Sequence, residues 1–330
     1  MPPAALAARH VAAERLSPIA KDVARGLLRH GQKTLPAYLF YDEAGSRLYE
    51  AITTLPEYYP TRTERAILTE HADDIVALAA AGTDDALTVV ELGAGTASKT
   101  QVLLDAVVRR QGRCLYVPTD VSATAIAEAA TRLRREAPRV EVRPLCAMHT
   151  DVFRHLERIP PRQFVLFVGS SIGNFDDLDA QALLRGLRRG LRPGAMFLLG
   201  TDLRKSPALL IPAYDDAQGV TAAFNRNVLT RINRELDADF EPAAFRHRAI
   251  WNERASRIEM HLESVADQLV RIGGLGVRVR FRRGESVHTE SSVKYDLPRV
   301  DALLTVTGFE RLRTFTDARG WFAVHVAVAV

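Results

Sequence analysis

The residues with the clearest chemical potential lie in two places. Glu91-Leu-Gly93-Ala-Gly95-Thr-Ala-Ser98-Lys99-Thr100 follows an apolar run, and its glycines would let the backbone approach a ligand closely. As a dinucleotide fingerprint it reads G-x-G-x-x-S, with Ser98 where a third glycine belongs. As a phosphate loop it reads G-x-x-x-x-S-K-T, and Ser98 replaces the glycine before the lysine. The second place is Thr289-Glu290-Ser291-Ser292-Val-Lys294. On an extended run Glu290 and Ser292 share one face, so a carboxylate and a hydroxyl could together grip the two nitrogens of an imidazole. Taken alone, that pair is a solvated strand face.

A third reading of the glycine loop is the acid-x-Gly-x-Gly turn of Rossmann-like methyltransferases. There the glycines approach the methionyl part of S-adenosylmethionine, and an acid after the second strand holds the ribose. Asp120 decides among the three. It lies 27 residues beyond Gly93, at the end of the second predicted strand, where a carboxylate can accept two hydrogen bonds from a ribose. A phosphate loop would instead need an acid on a later apolar strand for magnesium, and Phe164–Val168 runs into Gly-Ser-Ser. It would also need the missing glycine to cradle phosphate. The preference is therefore methyltransferase, then NAD enzyme, then P-loop nucleotidase, with a ligand-free glycine turn as the bland alternative.

These residues must be carried by elements, and the chain supplies them. Apolar runs at Leu87–Leu92, Leu115–Pro118, Val140–Cys146, Phe164–Val168 and Met196–Gly200 predict strands. Helical periodicity fills Lys99–Arg110, Thr124–Glu136 and Leu178–Leu191 between them. That alternation predicts an α/β class with a doubly wound parallel sheet. Residues 203–245 read as helical and polar; Arg257–Glu263, Val277–Arg282 and Thr289–Tyr295 read as extended. A helix is expected near Arg299–Thr307, then strands at Glu310–Phe315 and Trp321–Val330. The last run, WFAVHVAVAV, is too apolar for a solvated edge and is expected to return to the sheet as an antiparallel strand. The expected domains are nested: 61–202 with 296–330 for the sheet, and 1–60 with 203–295 for a smaller α+β substrate-binding domain.

The 330 residues, 47% hydrophobic and 25% charged, exclude a disordered chain or a disulfide scaffold. No stretch approaches the roughly 20 apolar residues that span a bilayer. The start, MPPAALAARHVAAERL, lacks a continuous apolar core, so a cytoplasmic protein without a leader is expected. Cys114 and Cys146 sit in apolar runs and read as buried thiols. The net charge of +4 is spread: only Lys21, Lys33, Lys99, Lys205 and Lys294 are lysines, and arginine clusters such as Arg278–Arg283 alternate with apolar residues. Neither a nucleic-acid nor a membrane partner is expected. The dispersed histidines suggest no metal, and a monomer is expected.

Further stretches carry a resemblance. They are Phe40-Tyr41-Asp42-Glu-Ala-Gly45-Ser46, Leu55-Pro56-Glu57-Tyr58-Tyr59-Pro60-Thr61-Arg62-Thr63-Glu64, Gly169-Ser-Ser-Ile-Gly173-Asn174, and Ala213–Gly219 running on through Phe224-Asn225. With the glycine loop and Thr289–Lys294 they resemble the histidine N-alpha-methyltransferases of ergothioneine biosynthesis, from about residue 20 to the C-terminus. The resemblance implies a Rossmann-like fold and methyl transfer from S-adenosylmethionine to the α-amine of L-histidine. It implies up to three methyls, giving hercynine, with no metal. A related branch methylates tryptophan derivatives, which is the alternative reading.

The resemblance also implies residue roles. Gly93, Lys99 and Asp120 would contact the cofactor, and Asp151 with Val152 would flank adenine. Asn174 and Tyr214 would hold the substrate carboxylate. Tyr58 would line the imidazole pocket, as would Met260, and Glu290, Ser291 and Ser292 would bind the ring. Tyr41 would stand at the reacting amine as the catalytic residue. Two departures stand out: extra residues at Met148-His-Thr150, and Phe175 after Asn174. Attack requires a neutral amine, and an α-amine titrates only near about pH 8, so the site must assist its deprotonation. A P-loop nucleotidase and a non-catalytic binding module are the remaining alternatives.

Overall fold

In the computed structural model, described over residues 16–82, 85–160 and 162–330, the chain forms two compact units. The N-terminal stretch read as lacking a leader lies outside the described residues. One unit comprises residues 16–52, 214–251 and 259–290; the other comprises 53–213, 252–258 and 291–330. Compared with the sequence expectation, the sheet-bearing unit also takes in Tyr58, Ser291 and Ser292.

In chain order the strands are β1 (Lys33–Thr34), β2 (Thr88–Leu92), β3 (Cys114–Asp120), β4 (Val140–Val142), β5 (Leu145–Cys146), β6 (Gln163–Phe167) and β7 (Met196–Asp202). Then follow β8 (Phe245–Asn252), β9 (Arg257–Ser264), β10 (Gln268–Ile272), β11 (Val277–Phe281), β12 (Ser286–Val293), β13 (Phe309–Thr316) and β14 (Phe322–Ala329). The helices are α1 (Pro18–Leu27), α2 (Glu43–Thr54), α3 (Tyr59–Ala79), α4 (Gln101–Gln111), α5 (Ala123–Glu136), α6 (His149–Leu156), α7 (Asp177–Gly190), α8 (Pro207–Leu210), α9 (Val220–Leu236) and α10 (Leu297–Val306).

The sheet-bearing unit has the order β13-β14-β7-β6-β2-β3-β4, with β5 continuing the edge beside β3. Strands β2, β6 and β7 are buried along their whole length, because helices cover both faces. One face packs Ile67, Leu68, Leu103, Leu104 and Leu133; the other packs Phe153, Leu183, Leu184 and Leu303. The last run is strand β14, antiparallel between β7 and β13, with Val326 opposite Leu198. Its His325 is wholly buried between the hydroxyls of Thr201 and Thr314, each 2.9 Å away.

Two expectations are corrected. The run Val140–Cys146 forms two short strands rather than one, because Pro144 breaks the ladder. Cys146 is exposed, since β5 is a two-residue edge piece; only Cys114 is buried.

The chain leaves β2 toward β3 and β4, then returns to the other side through β6 and β7. The strand order therefore reverses between β2 and β6, and ligands of such sheets bind outside the carboxyl ends of the strands at that point. The loop Gly93–Thr100 leaves β2 there, and Gly169–Asn174 leaves β6.

The other unit holds the sheet order β1-β12-β9-β8 and the hairpin β10-β11. In that hairpin Val279 and Phe281 are buried while Arg278 and Arg280 face water, as the alternation predicted. Phe245 meets Phe281 edge-on at 5.3 Å. The FYDEAGS stretch is a clamp: Asp42 Oδ1 accepts from Gly45 N and Asn227 Nδ2, both at 2.8 Å, and Oδ2 accepts from Arg234 at 2.8 Å. Gly45 has no room for a side chain, because an added Cβ would stand 1.6 Å from the Phe40 carbonyl oxygen. Gly45→Ala is expected to destabilise the fold by about 1–3 kcal/mol through overpacking, despite alanine's better helix propensity. Thermal melting checks this; an unchanged or raised midpoint contradicts it.

Candidate functional site

The glycine loop is built by the acid that opens its motif. Glu91, at the end of β2 and wholly buried, accepts from Thr100 Oγ1 at 2.6 Å and from the Tyr116 hydroxyl on β3. It thereby holds both ends of the loop and the neighbouring strand. Gly93 and Gly95 adopt positive φ values of 69° and 52°, which glycine adopts without strain. Asp120 closes the loop from β3: its Oδ2 accepts from Gly95 N and its Oδ1 from Ser122 N, each at 2.8 Å. Each carboxylate oxygen has two lone pairs, so both retain acceptor capacity for further hydroxyls.

Lys99 lies beside a second buried carboxylate. Glu64 of α3 is wholly buried; its Oε2 is 2.6 Å from Lys99 Nζ, and its two oxygens accept from Gly169 N at 2.7 and 3.0 Å. Space for it depends on two glycines. A Cβ on Gly200 would sit 2.2 Å from Glu64 Oε1, and one on Gly169 would sit 3.0 Å from Lys99 Nζ. One carboxylate thus joins the loop after β2 to the loop after β6.

The β6 loop turns through Gly169 and Ser170 (φ 77° and 56°) into the short helical turn Ser171–Asn174. Gly173 lies against the backbone of Val293, where a Cβ would meet the carbonyl oxygen at 2.9 Å. The structure therefore places the half-buried Asn174 on a loop packed onto the segment that carries Ser291 and Ser292, both buried. Tyr58 is buried just before α3, its carbonyl held by Arg62 at 3.1 Å. Glu57 beside it has one buried oxygen, Oε2, with no hydrogen-bond partner among the described residues.

Asp151 and Val152 behave differently from each other. They are not at a strand end: both belong to the first turns of α6, which Met148 precedes as N-cap. Val152 is fully buried in the core, whereas Asp151 is exposed.

In the other unit, Tyr41 follows the turn Ala37–Phe40 and meets Phe224 and Tyr49 edge-on at 6.0 and 5.8 Å. Tyr214 is buried, with its carbonyl 2.8 Å from His247 Nε2. The opposite ring nitrogen, Nδ1, lies 2.8 Å from Asn225 Nδ2, an amide nitrogen that can only donate. His247 is thus the neutral tautomer with its proton on Nε2, and burial lowers its pKa accordingly. Asn225 Oδ1 in turn accepts from Thr289 Oγ1 at 2.8 Å, one residue before the half-buried Glu290. The same hydroxyl lies 3.0 Å from the carbonyl of Met260, itself buried on β9, so its single hydrogen is shared between two acceptors. One asparagine therefore ties the Tyr214 carbonyl, through His247, to the Thr289 side chain.

Sequence reasoning missed Glu64, Asn225 and His247 as positioning groups. A signal was present for Glu64. It precedes Ile67 and Leu68 by three and four residues, which puts it on the buried face of α3.

The family described as histidine-specific methyltransferase, SAM-dependent, matches residues 19–329. The chain is 44% identical over 309 residues to a histidine N-alpha-methyltransferase of Mycobacterium tuberculosis (strain CDC 1551 / Oshkosh), covering 93% of this chain and 94% of that relative. It is 43% identical over 323 residues to the protein of that name from Mycolicibacterium smegmatis, covering 97% and 98%. An ergothioneine biosynthesis protein 1 of Neurospora crassa is 30% identical over 297 residues, which is 87% of this chain and 32% of that protein.

Glu91 gives the site a pH signature. Burial pushes its carboxyl up to about 7, against the bonds from Thr100 and Tyr116 and the charge of Lys99. The folded protein then keeps a proton that the unfolded chain loses above its ordinary value of 4.5. That contribution to stability is present below pH 4.5 and is lost as pH rises toward 7. In Glu91→Gln the loss is absent, so the variant's melting point should rise relative to the parent's between pH 4.5 and 7.5. A difference independent of pH over that range contradicts the assignment.

Proposed function

Because the chain belongs to the histidine-specific, SAM-dependent methyltransferase family, we propose that it transfers methyl groups from S-adenosylmethionine to the α-amino group of L-histidine. The product would be mono- to trimethylated, ending at N-alpha,N-alpha,N-alpha-trimethylhistidine, and the step would open ergothioneine biosynthesis. The observation that carries the reading is similarity along nearly the whole chain, joined to a glycine loop and an acid at the sheet's switch point. In the same reading it works as a cytoplasmic monomer without a metal.

The donor set fits the cofactor. Asp120 retains acceptor capacity on both oxygens for a ribose, Gly93 and Gly95 open the backbone, and Lys99 is a cation suited to a carboxylate. Asp151 is exposed and suits a polar edge of adenine, while the core position of Val152 leaves it a supporting part. When bound, S-adenosylmethionine supplies an electrophilic methyl on a sulfonium.

The chain's own residues do the rest. Asn174 and Tyr214 hold the substrate carboxylate as neutral donors, which adds no positive charge to repel a sulfonium. Glu290 accepts the ring N–H, and Ser291, Ser292, Tyr58 and Met260 are the other residues assigned to the ring. Tyr41 assists loss of the amine proton, directly or through water, so that a neutral amine attacks. Catalysis is otherwise proximity and orientation.

Two variants test this reading. Asp120→Ala should weaken binding of S-adenosylmethionine by about 1–3 kcal/mol, the scale of a charged hydrogen-bond partner. Calorimetry showing tight ATP binding and none of S-adenosylmethionine would overturn it. Glu290→Ala should lower kcat/KM for histidine by about 2–4 kcal/mol while improving relative activity on phenylalanine or tryptophan. A histidine kcat/KM within about twofold of the parent would make Glu290 a solvated strand position.

A further inference from the structure

We propose that Lys294 is a positioning residue for substrate recognition: by donating to Ser292 it orients that hydroxyl as a hydrogen-bond donor, so that the ring site selects a neutral imidazole. The inference rests on the histidine reading above. Lys294 is wholly buried, and its ammonium lies 2.7 Å from Asp202 Oδ2 and 2.7 Å from Ser292 Oγ. An ammonium has hydrogens and no lone pair, so Ser292 is the acceptor in that bond. The single hydrogen of the hydroxyl is therefore directed away from Lys294.

Asp202 does not need Lys294 for its own neutrality. It is wholly buried at the end of β7, and it already receives Lys205 on Oδ1 at 2.5 Å and the Tyr59 hydroxyl at 2.9 and 2.8 Å. Two ammonium groups share the Asp202 carboxylate, Asp317 adds a further negative charge near Lys205, and Lys294 also donates to Ser292. Burial, reinforced by the charge of Lys294, lowers Lys205 to about 8 against the pull of Asp202 and Asp317.

The backbone is pinned as firmly as the side chain. Lys294 N donates to Ser256 O at 2.7 Å, Ser256 Oγ donates to Lys294 O at 3.0 Å, and Tyr295 N donates to Asp202 O at 2.9 Å. A buried lysine held at this cost is more than a packing residue, since an apolar chain of similar volume would fill the space without desolvating a charge. Its polarity matters for the ring. Glu290, two residues earlier on the same face of β12, can only accept when ionised, and Ser292 so oriented donates. Acceptor and donor together match a neutral imidazole, which presents one N–H and one bare nitrogen, and they mismatch a benzene or indole ring.

A double-mutant cycle tests the proposal on the full-length protein. Wild type, Lys294→Met, Ser292→Ala and the double variant are compared by kcat and KM for histidine and for S-adenosylmethionine. Methionine keeps the apolar stem and removes the ammonium. Each single change should raise the histidine KM about tenfold or more, the scale of a lost charged hydrogen bond, with kcat and the S-adenosylmethionine KM within about threefold. The double variant should be no worse than the worse single, within about twofold. Losses that multiply, or a histidine KM within about twofold of wild type in Lys294→Met, overturn the proposal. Should Lys294→Met not fold by circular dichroism, Lys294→Arg enters the same cycle. It keeps a cation against Asp202, moves the donor from Ser292, and is judged by the same two outcomes. A wild type inactive on histidine, read before any variant, would instead remove the function reading and this inference with it.

Discussion

A carboxylate buried away from water must be surrounded by donors and cations, and this sheet-bearing unit meets that demand three times. Glu91 is satisfied by Thr100 and Tyr116, Glu64 by Lys99 and Gly169, and Asp202 by Tyr59, Lys205 and Lys294. At Glu64 and Asp202, which face ammonium groups, removing a partner leaves an uncompensated buried charge, which costs about 3–5 kcal/mol. Each carboxylate therefore dictates where several chain segments must go. The segments so dictated carry most of the candidate binding residues: the glycine loop, the turn leading to Asn174, the start of α3 beside Tyr58, and the strand end holding Ser292. Rigidity in this unit is electrostatic as well as hydrophobic.

The smaller unit uses neutral groups for the same purpose. Asn225 links the Tyr214 carbonyl, through His247, to the side chain of Thr289, with no net charge involved. Ionised hubs stand beside it: Asp42 is paired with Arg234, Glu263 with Arg246 and Arg248, and Glu285 with Lys33. In both units the residues proposed to touch ligand are held by neighbours that do not.

Much of this was legible in the sequence, and unevenly so. The parallel strands declared themselves because burial on both faces makes them continuous apolar runs, and β14 was readable as an interior antiparallel strand for the same reason. The motif Glu91-x-Gly93-x-Gly95 with Asp120 was readable because spacing along the chain maps directly onto one loop and the next strand end. What was hidden depends on partners distant in sequence. That Gly200 leaves room for Glu64, 136 residues away, is a fact of packing that no local pattern carries. The break at Pro144 and the exposure of Cys146 were misjudged where short edge elements left periodicity too little length to speak.

The most direct test of the account is to give the protein S-adenosylmethionine with an equimolar mixture of the twenty amino acids and follow the products by mass spectrometry and NMR. Methyl groups are expected on histidine alone, in one, two or three copies, all on the α-nitrogen with the ring unmodified. Methylation of the imidazole, or of tryptophan in preference to histidine, would contradict it.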